Sequence, residues 1–150
     1  MSLLNNIGSA DLLLLKELYP DNFEEVLQKV KNHYPIQYLI GYVDFYNTKI
    51  NVNENVLIPR FETELLVKYT LDFLKNKNIK NLFDIGTGSG AIAIALKKRL
   101  NIFVDACDIS EKSLQLASIN AQDNKVSINF FKMDILNVIP DKKYDCLISN

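Results

Sequence analysis

Residues 82–90 read Leu-Phe-Asp-Ile-Gly-Thr-Gly-Ser-Gly, and Ala91–Leu96 continue as Ala-Ile-Ala-Ile-Ala-Leu. An apolar run enters three alternate glycines and leaves through a run of small and branched residues. That pattern suits a strand, a tight loop and a helix in a parallel α/β sheet, where glycines let the backbone approach a ligand with no Cβ in the way. The spacing is Gly-x-Gly-x-Gly, unlike the Gly-x-Gly-x-x-Gly loop that aims helix N-terminal amides at a pyrophosphate. With Asp84 two residues ahead of Gly86, the shorter loop suits a cofactor that has no phosphate and one cationic end. S-adenosylmethionine has both properties, an ammonium on its amino acid end and a positive sulfonium.

The rest of the chain arranges itself around this loop. Two short helices are predicted first, over Leu12–Leu18 and then from an N-cap at Asp21, with Glu24 three residues on. Phe23, Val26, Leu27 and Val30 form the apolar stripe of the second, and Pro35 closes it. Tyr42–Tyr46 and Lys49–Val52 read as a hairpin turning at Asn47-Thr48. A helix is expected over Glu62–Lys75, with Leu66, Tyr69, Leu71 and Phe73 on its apolar side. Strand and helix patterns then alternate: strand Leu82–Ile85, helix Gly90–Leu100, strand Ile102–Cys107, and a helix capped by Ser110 with Leu114, Ala117 and Ala121 inward. Strands Val126–Phe131 and Tyr144–Ser149 complete four parallel strands, fewer than such sheets usually carry. The fourth is expected beside the first with an open outer edge, so the chain reads as part of a longer protein.

In an open α/β sheet, ligands bind beyond the carboxyl ends of the strands at the point where strand order reverses. Four successive strand ends here carry polar or glycine signals: Gly86–Gly90, Asp108, Asp134-Ile135 and Asn150. Asp108 is placed to accept hydrogen bonds from both ribose hydroxyls of an adenosine, each worth about 1.5–3 kcal/mol to a charged acceptor. Asp134 and Ile135 would flank the adenine, one accepting a hydrogen bond and the other packing on the ring. Asn150 would aim its amide at the place of methyl transfer.

Composition removes several alternatives. A net charge of −1 argues against a broad nucleic-acid footprint. No apolar run approaches the roughly 20 residues of a membrane span, and no signal sequence opens the chain, so a cytoplasmic location without membrane association is expected. Cys107 and Cys146 are spaced as core thiols and His33 stands alone, so no metal site is expected.

From Pro35 to Asn150 the chain resembles the bacterial release-factor glutamine methyltransferases, class I S-adenosylmethionine enzymes. The resemblance rests on Pro35-Ile-Gln-Tyr-Leu-Ile-Gly, on Val56-Leu-Ile-Pro-Arg-Phe-Glu-Thr-Glu-Leu-Leu-Val, on the glycine loop and on Ile148-Ser-Asn, which opens an Asn-Pro-Pro-Tyr motif. Ile-Pro-Arg-x-Glu-Thr-Glu is the most specific of these, although Phe61 stands where the family usually has proline. The resemblance implies a Rossmann-like class I methyltransferase sheet, here incomplete, preceded by a small helical segment (1–35) and a β-hairpin linker (36–60). Residues 61–150 would be the N-terminal part of the cofactor-binding domain.

The resemblance further implies that Gly86, Thr87, Gly88, Ser89 and Gly90 hold the methionine part of S-adenosylmethionine and Asp108 its ribose, with Asp134 and Ile135 beside the adenine. Pro59, Arg60, Glu62 and Thr63 would line or brace the cleft. Asn150 would be the catalytic and substrate-binding residue. Its side-chain oxygen and the next residue's carbonyl would accept the two amide hydrogens of a glutamine in the Gly-Gly-Gln loop of a peptide-chain release factor, so that no base is needed before transfer. Residues 1–150 alone are then expected to be inactive. Two other readings share these motifs: an adenine-N6 nucleic-acid methyltransferase, and a non-catalytic cofactor-binding fragment.

Overall fold

The structure is a computed structural model that describes residues 8–150; the first seven residues of the expected helical segment lie outside the described residues. Three helices open it: α1 (Ser9–Leu18), α2 (Phe23–Lys31) and α3 (Ile36–Ile40). Leu15, Val26 and Leu39, one from each, form a small core with Phe23 and Val30 packed against it. Phe23, Val26 and Val30 of the expected α2 stripe dock here, while Leu27 is not part of this core. The start of α2 differs: Asn22 occupies the N-cap and no side chain caps the helix, so Asp21 plays no such part. Helix α3 escapes the sequence reading because five residues cannot display a period. Its cues are Pro35 at the N-cap and Gly41 at the C-cap, where the Gly41 amide donates to the Gln37 carbonyl at 2.8 Å.

The hairpin pairs β1 (Tyr42–Asp44) with β2 (Lys49–Asn51), antiparallel. Its turn runs through Tyr46 and Asn47, both at positive φ, as a tight hairpin turn demands. Helix α4 (Phe61–Leu74) follows. Thr63, Val67 and Leu74 are its buried residues, with Leu66 and Leu71 packed against the core. Tyr69 and Phe73, expected inward, are about two-thirds exposed. Val67, Leu71 and Leu74 stand at i, i+4 and i+7 with Thr63 one turn ahead, but Leu66, Tyr69 and Phe73 also share a helical spacing, so periodicity alone does not choose the inward face.

The parallel sheet contains β3 (Asn81–Ile85), β4 (Phe103–Asp108), β5 (Asn129–Lys132) and β6 (Cys146–Ser149), in the order β5-β4-β3-β6. Helices α5 (Ala91–Lys97) and α6 (Glu111–Asp123) connect β3 to β4 and β4 to β5. β6 therefore lies beside β3 at a sheet edge, as expected. Several boundaries are tighter than the sequence suggests; β6, for one, starts at Cys146 and not at Tyr144. α5 ends at Lys97, and the third parallel strand starts at Asn129 because the Val126 amide is drawn back to the Ala121 carbonyl at 3.0 Å, closing the end of α6.

Leu82, Val104, Ala106 and Ile148 point to one side of the sheet and bury against Val67, Leu74, Ala93, Leu96 and Leu116 of the helices. Burial of apolar area of this kind, roughly 25 cal/mol per Å², is what holds the helices to the sheet. On the other side Phe83 stacks on Phe131 and Tyr144, with ring centroids 5.6 and 4.7 Å away. The chain between β5 and β6 crosses that side. It is anchored by buried Asp105, which accepts from Lys142 Nζ at 2.7 Å and Tyr144 Oη at 2.8 Å. Burial alone would raise the Asp105 carboxyl, but these bonds hold it below its ordinary value. Leu147 and Ile139 remain exposed on this side. No helix among the described residues is long and apolar enough to cross a membrane.

Candidate functional site

β3 delivers the chain to the loop, and β4 ties the loop down. The amides of Gly86 and Thr87 both donate to the Cys107 carbonyl at 2.9 Å, and the Gly88 amide donates to Asp108 Oδ2 at 2.9 Å. Asp108 Oδ1 accepts from the Ser110 amide at 2.9 Å, and Ser110 Oγ caps α6 by accepting from the Ser113 amide. Each carboxylate oxygen of Asp108 thus carries one backbone donor and keeps a lone pair for a further one.

The three glycines do different work. A Cβ on Gly86 or Gly88 would meet nothing within 4 Å, so both face open space. A Cβ on Gly90 would stand 3.1 Å from both the Ala117 Cβ and the Ile94 Cδ1, so Gly90 packs against α6 and lines neither cavity described below.

Beneath the loop lies Asp84, 1% exposed. Thr87 Oγ1 donates to its Oδ2 at 2.7 Å, while its Oδ1 has no hydrogen-bond partner. Burial pushes its pKa up to about 6, against the Thr87 bond and the nearby Ala93 amide, which lower it; the charge of Asp108 adds to the rise. In its ionised form this carboxylate places negative charge behind the glycine loop, although Asp84 itself lines neither cavity described below.

Two cavities open at the carboxyl end of the sheet. The larger, about 320 Å³, lies beside the Asp108 end of β4 and the start of the crossing segment. Ile109, Met133, Ile135 and Leu136 make its apolar wall, with Asp108 and Asp134 as its carboxylates and no Lys, Arg or His among its lining residues. That volume sits at the small end of the usual range for ligand pockets, roughly 300–1,000 Å³. Asp134 closes its own turn, accepting from the Leu136 amide at 3.0 Å and Asn137 Nδ2 at 2.7 Å. Burial pushes the Cys107 thiol, also on this wall, above its ordinary pKa.

The smaller cavity, about 70 Å³, runs between the loop and the approach to α4, lined by Pro59, Arg60, Thr63, Gly86–Ser89, Ile92 and Asn150. Glu62 is exposed outside it. Gly86 and Asn150 belong to both cavities. At this junction, between β3 and β6, strand order reverses. Ser149 Oγ donates to the Ile85 carbonyl at 2.9 Å, fixing the end of β6, and Asn150 Nδ2 donates to Thr63 Oγ1 at 3.0 Å.

The structure therefore brings Gly86, Thr87, Gly88, Ser89, Asp108, Asp134, Ile135 and Asn150 around one pair of joined cavities. Ile109 was missed by the sequence reading. Its signal was an apolar residue directly after a strand-end carboxylate, where a loop would be expected to turn polar.

Comparison with known proteins follows the same outline. The family "Methyltransferase small domain" matches residues 61–150. A curated relative from Flavobacterium psychrophilum, named release factor glutamine methyltransferase, is 42% identical over 97% of this chain and 55% of its own length. The chain spans about half the length of the curated relatives it matches. Among solved structures, the ribosomal protein L11 methylase of Lactobacillus delbrueckii subsp. bulgaricus is 30% identical, with a TM-score of 0.56, over 67% of this chain and 51% of that one. The Pyrococcus abyssi tRNA (uracil-54, C5)-methyltransferase, solved with S-adenosyl-L-homocysteine, shares the fold at a TM-score of 0.59 and 18% identity, over 71% of this chain and 27% of that one.

Proposed function

The chain belongs to the methyltransferase small domain family, and from that premise we propose that it forms the cofactor-binding part of a release-factor glutamine methyltransferase. The reaction would move a methyl group from S-adenosylmethionine to the side-chain nitrogen of the glutamine in a Gly-Gly-Gln loop. One observation carries this reading: a carboxamide, Asn150, held by Thr63, lines both the cavity between the glycine loop and the Ile-Pro-Arg segment and the larger cavity beside Asp108. The relatives' printed name supports the same substrate.

The residues present fit the cofactor. Gly86 and Gly88 leave open the space that a Cβ would fill. The buried Asp84 oxygen without a partner suits a cationic ligand, and the larger cavity has no basic side chain to neutralise a phosphate. In this reading Gly86, Thr87, Gly88 and Ser89 hold the methionine part, Gly90 braces them, Asp108 takes the ribose hydroxyls, and Ile109 and Ile135 enclose the adenine beside Asp134.

When bound, the cofactor supplies an electrophilic methyl group. The chain's own residues position the acceptor. An amide nitrogen is a weak nucleophile because its lone pair is delocalised, so orientation and local electrostatics carry most of the rate. With its Nδ2 engaged by Thr63, Asn150 presents Oδ1 to accept an N–H of the glutamine amide and fix the nitrogen in place. The proton becomes acidic only as positive charge develops on the nitrogen, so it is lost after transfer and no general base is required. No histidine lines either cavity, and the Cys107 thiol is held protonated, consistent with direct transfer.

The test is incubation of the whole protein with a release factor and S-adenosylmethionine, followed by mass spectrometry. One added methyl on the Gly-Gly-Gln glutamine is expected, and Asn150→Ala should abolish it. Methyl transfer to DNA or RNA adenine instead would overturn the substrate, and no transfer to either would overturn the enzyme reading.

A further inference from the structure

Asn120 is a polar side chain in the middle of the buried face of α6, with 0% exposure. Its carboxamide does not serve its own helix. Nδ2 donates to the Ser89 carbonyl, within the glycine loop, at 2.9 Å, and to the Asn51 carbonyl, on β2, also at 2.9 Å. Oδ1 accepts from the Asn51 amide at 2.8 Å. All three partners are backbone groups, which can only donate or only accept, so the carboxamide has a single chemically sensible orientation. Toward β2 it behaves as a peptide group of an additional strand. Toward the loop it holds the carbonyl between Gly88 and Gly90.

One helical turn earlier, Ala117 presses against Gly90. The ligand-facing side of the loop is thus fastened by β4, through the Cys107 carbonyl and Asp108, while its rear is fastened by α6. Other bonds seat the hairpin on the same helix: Asn51 Nδ2 to Asp123 Oδ2 at 2.7 Å, and Asn124 Nδ2 to the Lys49 carbonyl at 2.9 Å. Neither of those reaches the loop. Asn120 does.

We propose that Asn120 is the positioning residue of the glycine loop, and that through it the seating of the hairpin and the shape of the cofactor site form one buried unit. A loop whose glycines leave its cavity side bare depends on fastening from behind to stay in its binding shape. Preorganisation of this kind appears as ligand affinity. Without Asn120, the Ser89 carbonyl and the Asn51 amide lose a buried partner together, and a buried group left unpaired is costly.

The affinity arm of the test rests on the reading that the loop binds S-adenosylmethionine; the exchange arm does not. Asn120→Asp keeps the shape and the acceptor but removes both donors; Asn120→Ser shortens the reach. Val67→Ala is the control, a fully buried change in the same core that lines neither cavity. Each protein is titrated calorimetrically with S-adenosylhomocysteine well below its Tm, and its amide hydrogen exchange is followed without ligand. Both Asn120 variants should bind at least ~10-fold more weakly, about 1.4 kcal/mol, while Val67→Ala binds as the parent does even where its Tm falls as far. Exchange at residues 88–90 should quicken in the two Asn120 variants only, and at Asn51 in Asn120→Ser, which loses the acceptor as well. Affinity losses no larger than in the control, or loop amides that exchange unchanged, would overturn the inference. A parent protein that binds no S-adenosylhomocysteine would overturn the proposed function, and exchange alone would then decide the role of Asn120. If neither variant folds, Asn120 is a core residue only and the inference falls.

Discussion

Asp84 shows how a single side chain trades stability for function. Its folded-state pKa of about 6 lies above the ordinary carboxylate value because burial disfavours the charge. The folded protein therefore binds this proton more tightly than the unfolded chain does. The stability it contributes is full below about pH 4 and is lost as pH rises through about 6. Asp84→Asn cannot ionise yet can still accept from Thr87. It should raise the Tm of the ligand-free protein at neutral pH, by about 1–3 kcal/mol of stability, while weakening S-adenosylmethionine roughly 10-fold. Differential scanning calorimetry and titration calorimetry check the two halves. In the parent, affinity should decline as pH falls through about 6, since the carboxylate is lost; a pH-independent affinity would remove Asp84 from the ligand's field. Thr63 is the other informative residue. Thr63→Val keeps the shape and drops the bond to Asn150, so kcat should fall roughly 10-fold with little change in cofactor affinity, and Thr63→Ser should restore most of it. Asp84 and Asn150 were legible because strand ends announce them. The Thr63–Asn150 pair was not, since 87 residues separate its members, and nothing local in either segment records the other.

Among the elements, legibility followed the strength of the local pattern. The strand–loop–helix units stood out because apolar runs, glycines and a capping serine agree with one another. Helix α4 is legible, with Leu66 and Leu71 inward, but two of its faces are apolar at helical spacing, and the one that buries is Thr63–Val67–Leu74 rather than Tyr69 and Phe73. Asn120 was hidden as a polar residue between Ala117 and Ala121 on an apolar face. The loop itself divides into a ligand side and a packing side, and substitutions should separate them. Gly90→Ala brings a Cβ to 3.1 Å from α6 at φ +81°, so it should cost stability, about 2 kcal/mol or more. Gly88→Ala meets open space and carries only the backbone penalty of φ +54°, roughly 1 kcal/mol, so its larger effect should fall on cofactor affinity. Thermal melts with and without S-adenosylhomocysteine would distinguish the two; equal losses in both assays would erase the division.

For the molecule as a whole, helices α4, α5 and α6 gather on one face of the parallel sheet and the chain returns to β6 across the other, so strand order reverses between β3 and β6. That reversal was legible from the order of elements, and it puts Gly86 and Asn150 into the walls of two adjoining cavities at once. In the proposed reading the donor spans both cavities, its amino acid end at Thr87–Ser89 and its adenosine beside Asp108, so the acceptor meets it at Asn150 and needs no vacated chamber. Neither Gly86 nor Asn150, the residues common to the two cavities, is suited to carry a methyl group from one substrate to the other. Turnover should therefore pass through a ternary complex, with the donor and the acceptor protein present together. Initial rates measured over a grid of both concentrations should give double-reciprocal lines that intersect; parallel lines would mean that the protein itself bears the methyl group between two separate visits.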